Sequence, residues 1–356
     1  MRSLLKQASR AVLHNAGGLE LFIRRNRRRI AIVTFHHFAS DAASLEELDQ
    51  RCAWIKLHFT PVTLDQIADA LDGSGPLPEN PITITVDDGY RDFLVAHRIF
   101  KRHGLHSTVF LVSGFLDGEC WLWVDIVHTL LMHSPRTELV ISPAGGAETE
   151  MVLPLFTIDD RKASARKLTE AAKQLPDEER RRLIANLPEL CGSALPALGG
   201  LALQHLKLGE FPDTLGAEQS LRSFLPLTWD EVRELAAAGV TFGAHTHTHP
   251  ILSRVTDAQR LADEIRQPKD RVAAEVGRCN HFCYPNGGPG DISEAAVREV
   301  EAAGYRTAVT TSAGLNERSQ PRYRLLRVST ETQSSRTYFY ESLAGLHSHA
   351  NAANEY

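Results

Sequence analysis

Cysteine, long apolar runs and a strong charge of one sign are all scarce in this chain of 356 residues. Its five cysteines are few and odd in number, which argues against a disulfide framework and favours a reducing compartment. No apolar run approaches the ~20 residues that a membrane-spanning helix needs. A formal net charge of -5 gives no global reason to expect a nucleic-acid partner. These absences argue against a disulfide-rich scaffold, a transmembrane protein and a nucleic-acid-binding protein.

The composition is otherwise that of an ordinary globular protein, with 43% apolar and 23% charged residues. The length allows a large core, and one barrel with an insertion accounts for it. The apolar patch at 30–35 follows a basic stretch but is too short for a signal-peptide core, and no small-residue cleavage site follows it. We therefore expect a cytoplasmic protein.

Residues 1–29 predict a separate element, a basic amphipathic helix. Its apolar residues come first and its arginines last, at Arg24, Arg25, Arg27, Arg28 and Arg29. An apolar helix that ends in arginines suits an anionic membrane surface, so peripheral membrane contact is one prediction. The alternative is a surface helix that packs on the rest of the protein.

A repeated pattern of helix, glycine and strand organises residues 30–330. Glycine supplies the left-handed cap that turns a helix back toward a strand, and it does so at Gly104, Gly239 and Gly304. Capping-box spacing marks helix starts at Ser44 with Glu47, Thr63 with Gln66, Thr228 with Glu231 and Thr256 with Gln259. Repeated β-α units predict a parallel sheet or a barrel, with functional residues at the carboxyl ends of its strands.

Residues 115–226 interrupt this pattern and predict a large, mostly helical insertion. They contain an aromatic helical stretch at 121–131, two strand-like pieces around Gly145, and a charged helical region at about 158–187. Trp121 and Trp123 suit a sugar site, because aromatic rings stack on apolar sugar faces. Core packing is the alternative for both. Residues 331–356 predict a short helix and a loose tail.

The stretch ITITVDDGY at 82–90 predicts a strand that ends in two adjacent carboxylates. Its alternating β-branched residues have the period of a strand, and Gly89 ends it. Adjacent side chains at a strand end point in different directions. Asp87 and Asp88 can therefore take different roles, one as a cation ligand and the other as a base. The alternative is a solvated turn.

Three histidines follow a second predicted strand, in GAHTHTHP at 243–250. His245 and His249 can converge whether the segment coils or stays extended, whereas His247 joins them only in an extended segment. Two imidazoles with one carboxylate leave coordination positions open, which is typical of a catalytic rather than a structural zinc site. Together with the aspartates, these histidines predict a metal site.

A glycine-rich turn, PNGGPG at 285–290, follows a third short strand. Glycines let backbone come close to a ligand, and exposed N–H groups there can stabilise an oxyanion. The alternative is a plain turn before a helix at about 291–303.

These three segments together resemble the polysaccharide deacetylase family, carbohydrate esterase family 4. Three of the family's motifs are present in order, as TVDDGY at 85–90, HTHTH at 245–249 and YPNG at 284–287. The resemblance covers about residues 30–115 and 225–330 and leaves the insertion outside. It implies an α/β fold, a distorted (β/α) barrel, and metal-dependent removal of N-acetyl groups from an amino-sugar carbohydrate.

The resemblance also implies a role for each motif residue. Asp87 is expected to be the general base, and Asp88, His245 and His249 are expected to bind one divalent metal ion. The backbone N–H of Asn286 falls where the family has its oxyanion donor. Zinc is the expected metal, with cobalt, nickel and iron as alternatives that accept the same ligands.

The general acid is expected at His36. It lies in FHHF at 35–38, which resembles an N-terminal aromatic-histidine motif of some family members. His247 and His281 are the reserves for this role. The arginine that many members carry in the third motif is replaced by Cys283. The family's Asp-x-x-Asp-Trp and C-terminal Leu-Val-Leu-x-His motifs have no clear counterpart.

Tyr90, Tyr284 and Trp123 are the predicted substrate contacts. The predicted substrate is an amino-sugar polysaccharide, oligosaccharide or glycolipid precursor. Two other functions stay open. One is a non-catalytic carbohydrate-binding protein on the same scaffold, which the missing motifs favour. The other is a metallohydrolase that acts on a non-sugar amide.

Overall fold

The computed structural model describes residues 17–142, 150–193, 224–329 and 335–347. The predicted helix within residues 1–16 and the end of the predicted tail lie outside the described residues. The helices and strands alternate along most of the chain. In order they are α1 (Gly18–Arg25), β1 (Ala31–Phe35), α2 (Ala42–His58), β2 (Thr60–Pro61), α3 (Leu64–Leu71), β3 (Pro81–Val86), α4 (Phe93–His103), β4 (Ser107–Leu111), α5 (Ser113–Leu116), α6 (Trp123–His133), β5 (Glu138–Ile141), β6 (Met151–Pro154), α7 (Ile158–Lys173), α8 (Asp177–Cys191), α9 (Trp229–Ala237), β7 (Thr241–Ala244), α10 (Ala258–Val276), β8 (His281–Cys283), α11 (Glu294–Ala302), β9 (Thr307–Ala313), β10 (Leu325–Ser329) and α12 (Arg336–Leu343).

Seven parallel strands close into a barrel in the order β1, β10, β9, β8, β7, β4 and β3. Strand β3 closes the ring by pairing with β1, in register from Ala31 opposite Ile82 to Phe35 opposite Val86. The short strand β2 pairs with the start of β3. The predicted (β/α) barrel is therefore confirmed. Because all its strands are parallel, their carboxyl ends meet at one end of the barrel.

The alternation of β3 divides its side chains between two environments. Ile82, Ile84 and Val86 join the large hydrophobic cluster that the surrounding helices complete. Thr83 and Thr85 are also buried but point to the opposite side of the strand, the barrel interior. The Thr85 hydroxyl donates a hydrogen bond of 2.8 Å to the Val33 carbonyl. The interior is therefore partly polar, which allows it to hold charged groups near the strand ends.

Two of the four predicted capping boxes form as expected, at Thr63 and Thr228. The other two helices begin elsewhere. Asp41 caps α2, and its side chain accepts from the Ser44 N–H, whereas Asp257 caps α10. An aspartate caps a helix as well as serine or threonine does, so the capping-box spacing selected the wrong residue in these two cases.

The insertion has a hydrophobic cluster of its own. The charged region predicted at 158–187 forms two helices, α7 and α8, which are separated near Pro176. The two predicted strands pair as an antiparallel hairpin, β5 with β6. The cluster combines buried residues of α6, α7, α8 and the hairpin with Ile251 from the barrel. The boundaries 115–226 stay a prediction, because residues 194–223 lie outside the described residues.

The N-terminal helix α1 packs against the protein through Leu19 and Ile23, which are buried. The Asn26 side chain that follows it donates a hydrogen bond of 2.8 Å to the carbonyl of Ala344, just after α12. Residues 18–25 thus pack on the rest of the described protein, and membrane contact by the N-terminal segment stays a prediction. Among the described residues, no helix combines the length and apolar character needed to span a bilayer.

A substitution at Gly243 of β7 can test how tightly the barrel is packed. A Cβ there would lie 2.6 Å from the Phe110 ring and 2.7 Å from the His281 carbonyl oxygen, so Gly243→Ala forces the sheet apart. We expect it to lower the free energy of unfolding by about 1–3 kcal/mol, measured by urea denaturation. Gly290→Ala is the matched control, because a Cβ there meets nothing within 4 Å. Equal effects of the two substitutions would contradict this account.

Candidate active site

The predicted functional residues gather at the carboxyl ends of the barrel strands. His36 follows β1, Asp87 and Asp88 follow β3, and His245 follows β7. Asn286 follows β8. Since parallel strands of a barrel end at the same face, residues far apart in the sequence become neighbours there.

Asp88, His245 and His249 converge on one point. Asp88 Oδ1 lies 3.3 Å from Nε2 of His245 and 3.3 Å from Nε2 of His249. The three potential ligand atoms lie within 4.8 Å of one another, and all three residues are buried. The structure therefore brings together the three residues that the sequence predicted as metal ligands.

The backbone around this point adopts an unusual conformation. In the described part of the chain, five residues other than glycine have positive φ, and four of them belong to the motif segments: Asp88 (72°), Thr246 (68°), His249 (59°) and Asn286 (58°). Left-handed backbone at residues other than glycine costs of order 1–3 kcal/mol each and clusters at functional sites. Such strain supports a functional role for these segments.

The loop that carries the histidines is neither extended nor helical. The Thr246 hydroxyl accepts the His249 N–H at 2.9 Å, which folds His249 back toward His245. Buried Glu264 on α10 accepts the N–H groups of His247 and Thr248 at 3.0 and 2.8 Å. Glu264 could not be predicted from the sequence, because it accepts these N–H groups from a separate helix outside the motif.

His247 points away from the converging ligands. Its Nδ1 lies 2.9 Å from the Ser113 hydroxyl, and its Nε2 lies 3.1 Å from Glu119. The structure thus excludes the extended alternative, in which all three histidines share a face.

The chemistry of the three converging residues fits a metal ion. The Nδ1 of His245 lies 2.8 Å from the Cys283 carbonyl, so it carries the proton and leaves the Nε2 lone pair free toward Asp88. The buried Asp88 Oδ1 accepts no hydrogen bond from any described residue. A buried carboxylate oxygen without a donor, between two imidazole nitrogens, is suited to a cation.

Asp87 forms a different interaction, a buried ion pair with Arg327 of β10. Arg327 donates from Nη1 to Oδ1 at 2.8 Å and from Nη2 to Oδ2 at 2.7 Å, and each residue is 1% exposed. Burial by itself would raise the pKa of Asp87, but the guanidinium outweighs it and holds that pKa at about 2. Asp87 is therefore ionised and fixed in orientation, without being part of the three-residue metal group.

Arg327 was not predicted from the sequence. The expected arginine of the third motif is Cys283 here, and its sulfur lies within 4.8 Å of the ligand atoms of Asp87 and His245. A guanidinium nevertheless reaches Asp87, from a strand that the motifs do not include. The only available signal was one arginine inside the otherwise apolar strand pattern LLRV at 325–328.

His36 and His37 face different partners. His36 Nε2 lies 3.6 Å from Asp87 Oδ2, and its side chain is 39% exposed. His37 Nδ1 lies 2.9 Å from Asp92 Oδ2. Burial would lower the pKa of His37, but Asp92 more than offsets it, so this pKa is raised. Only the first of the two histidines combines access to solvent with a position beside Asp87, and its role as general acid stays a prediction.

The reserve His281 lies at the wrong end of the barrel. It begins β8, and its Nε2 lies 3.1 Å from Asp65 at the start of α3. Its Nδ1 lies 2.8 Å from the Thr307 hydroxyl. His281 is thus a buried structural residue, remote from the carboxyl ends of the strands.

Asn286 lies in a turn that β9 fixes. The Thr311 hydroxyl donates to the Asn286 carbonyl at 2.6 Å, and the Thr311 N–H donates to the Gly287 carbonyl at 3.0 Å. No described residue accepts a hydrogen bond from the backbone N–H of Asn286. A fixed N–H without an internal acceptor has the property that an oxyanion donor requires.

The three predicted substrate contacts are all buried. Tyr90 and Tyr284 are each 1% exposed, and the Tyr90 hydroxyl donates to Asp125 at 2.8 Å. Burial gives no support for direct substrate contact by these two rings. Trp123 is 7% exposed and belongs to the core of the insertion, but it also lines a cavity beside His249. All three roles stay predictions.

Comparisons with known proteins agree with this class of fold. The family model for polysaccharide deacetylase matches residues 201–308. Over these residues, less than a third of the chain, the sequence is similar to the polysaccharide deacetylase family. A search of curated protein sequences found no match.

Several solved structures share the fold. The Streptococcus pyogenes deacetylase PplD in complex with acetate is similar with a TM-score of 0.53 and 14% identity, over 88% of this chain and 96% of that chain. A de-N-acetylase from Aggregatibacter actinomycetemcomitans has a TM-score of 0.53 and 15% identity, over 88% and 99% of the two chains. IcaB from Ammonifex degensii has a TM-score of 0.52 and 13% identity, over 89% and 96%.

The assigned ligands can be tested by metal content. Asp88→Ala and His249→Ala each remove one ligand, so we expect at least a tenfold loss of zinc affinity, measured by metal analysis after dialysis against graded zinc. His247→Ala is the matched control, because its ring faces Ser113 and Glu119. An unchanged metal content in the first two variants, or an equal loss in the control, would show that the ligand set is wrong.

The ion pair between Asp87 and Arg327 can be tested by a double-mutant cycle. Arg327→Met leaves a buried carboxylate without its cation, so we expect unfolding free energy to fall by about 3–5 kcal/mol. Asp87→Asn combined with Arg327→Met should cost less than the sum of the single changes, as measured by urea denaturation. Additive effects would contradict the coupling.

The pKa of Asp87 predicts that the effect of Arg327→Met on stability depends on pH. Asp87 has a pKa of about 2 in the folded protein, below the ~3.9 of an unfolded aspartate. Its contribution to stability is therefore complete above pH ~4 and is lost as the pH falls toward 2. The difference in stability between the wild type and Arg327→Met should shrink over this range.

Proposed function

We propose that the protein is a metal-dependent hydrolase that removes N-acetyl groups from an amino-sugar polysaccharide, oligosaccharide or glycolipid precursor. This proposal rests on one observation: the two adjacent carboxylates have different partners. Asp88 joins two imidazoles, whereas Asp87 is held ionised beside them by Arg327. A metal site with a separate, charged base is what amide hydrolysis needs.

Asp88, His245 and His249 would hold the metal. When bound, it supplies a Lewis acid that polarises the amide carbonyl and makes water acidic enough to lose a proton to a weak base. Zinc is the proposed ion, and cobalt, nickel and iron fit the same ligands.

The residues of the chain divide the proton transfers between them. Asp87 accepts the proton of the attacking water, and its ion pair with Arg327 fixes the carboxylate in place for this step. The N–H of Asn286 donates to the oxyanion that develops on the substrate, and loss of such a donor costs roughly 3–4 kcal/mol in related cases. His36, 3.6 Å from Asp87, donates a proton to the leaving nitrogen, because an amine leaves poorly unless it is protonated.

A non-catalytic carbohydrate-binding protein accounts less well for this geometry. Sugar binding gives no reason to bury an ionised carboxylate beside a metal site, where its desolvation is costly. The buried ion pair of Arg327 and Asp87 is instead explained by a reaction that needs a fixed proton acceptor at this position.

We also propose the cytoplasm as the location of this activity. All five cysteines lie among the described residues and are free. Unpaired thiols of this kind support a reducing compartment.

The base can be separated from the metal ligands by Asp87→Asn. We expect this variant to lose acetate release from N-acetylglucosamine oligomers by a factor of about 10²–10⁴, because proton abstraction is lost, while its zinc content stays unchanged. Asp230→Asn is the matched control, since Asp230 is exposed on α9. Full activity of Asp87→Asn would remove the base assignment, and absence of acetate release from any amino-sugar substrate by the zinc-loaded wild type would refute the proposed function.

A further inference from the structure

A cavity of about 770 Å³ lies beside the candidate metal site, between the barrel and the insertion. One wall comes from the loop after β7 and includes His249 itself. The opposite wall comes from the insertion, around Trp121 and Trp123 and along α8. A ligand whose reacting group lies at His249 would therefore extend into this cavity.

The charged residues of the cavity are mainly basic. Four arginines line it against two carboxylates, which leaves a net charge of +2: Arg180, Arg181, Arg182 and Arg260 against Asp177 and Glu178. Asp177 is already occupied, because it accepts hydrogen bonds from Arg180 and, at 2.8 Å, from Arg260. Arg181 and Arg182 are exposed on α8. Arg260 is further neutralised by Glu264 at 3.3 Å, so the positive charge that no described residue neutralises belongs to Arg181 and Arg182.

Two buried donors on the cavity wall have no acceptor. Trp123 Nε1 and Arg180 Nη1 make no hydrogen bond with any described residue, although their residues are only 7% and 2% exposed. The two side chains are in contact, with the Arg180 guanidinium 5.3 Å from the centre of the Trp123 ring system. Buried donors are almost always satisfied in folded proteins. Both nitrogens are themselves enclosed by protein atoms, so an oxygen atom of a ligand in the cavity reaches them only if a neighbouring side chain moves.

We propose that this cavity binds an anionic group, a carboxylate or a phosphate, of an acidic glycan whose N-acetylated sugar lies at the metal site. The inference rests on the proposed function and deepens it, because it names the substrate class. Guanidinium groups bind carboxylate and phosphate oxygens with two parallel hydrogen bonds. The substrate is accordingly an acidic amino-sugar glycan rather than a neutral polymer.

The test compares probes that share the N-acetylglucosamine unit and differ in charge. Binding of a hyaluronan tetrasaccharide, which carries carboxylates, is compared with that of neutral chitotetraose. N-acetylglucosamine 1-phosphate is compared with N-acetylglucosamine, so that the two pairs distinguish carboxylate from phosphate. The measurement uses calorimetry on the zinc-loaded full chain carrying Asp87→Asn, which slows turnover. We expect at least one acidic probe to bind about tenfold more tightly than its neutral partner.

The test substitutes the exposed residues Arg181 and Arg182, because Arg180 is buried and paired with Asp177. Arg181→Gln with Arg182→Gln should remove most of the preference for the acidic probe and leave the affinity for its neutral partner unchanged. Arg166→Gln is the control, an exposed arginine of α7 that is not among the cavity-lining residues. It should leave both affinities unchanged.

Equal affinity for the acidic and neutral probes in both pairs would overturn the inference, as would variants that weaken both probes alike. Acetate release by the wild type keeps this outcome distinct from the fate of the proposed function. Release from chitotetraose without any preference for acidic probes refutes the acidic-glycan inference alone. A preference that the arginine variants abolish, with no acetate release from any amino-sugar substrate, refutes the hydrolase and leaves an acidic-glycan-binding site.

Discussion

The ion pair between Asp87 and Arg327 joins the two halves of the barrel at the candidate site. Asp87 follows the third strand and Arg327 lies on the last one, with β1 between them in the ring. A buried carboxylate and a buried guanidinium each lose their hydration, and only a close, two-point contact compensates for that loss. The contact exists only when the barrel is closed. Closure of the ring is therefore required before the buried carboxylate of the proposed base is paired and oriented.

Much of the site could be predicted because its residues occupy local motifs at strand ends. Asp88, His245 and His249 meet as the spacing and the parallel topology predicted. The orientation of His247 depended on left-handed backbone at Thr246 and His249, which spacing alone does not reveal. Residues that act through contacts distant in sequence gave little or no signal. Arg327 looked like one charged residue in an apolar strand, and Glu264 looked like an ordinary helix residue.

The insertion interrupts the repeated β-α pattern, yet it contributes to the surroundings of the site. Its hydrophobic cluster includes Ile251, which follows the histidine loop, so the two parts share packing. Trp123 fits both interpretations drawn from the sequence, a sugar site and core packing, since it is a core residue and also borders the cavity. Helices α6 and α8 thereby bring aromatic and basic side chains next to His249, a combination that the barrel motifs do not supply.

The arginines that precede β1 lie at the amino ends of the strands. Arg27 pairs with Glu79 just before β3, and Arg29 pairs with Glu317. The candidate site occupies the opposite end, farther by the length of a five-residue strand, roughly 17 Å. A bilayer that attracted these arginines would leave the catalytic opening directed away from the lipid headgroups. Under that orientation, a chain attached to the lipid would reach the candidate site only if it spans this distance.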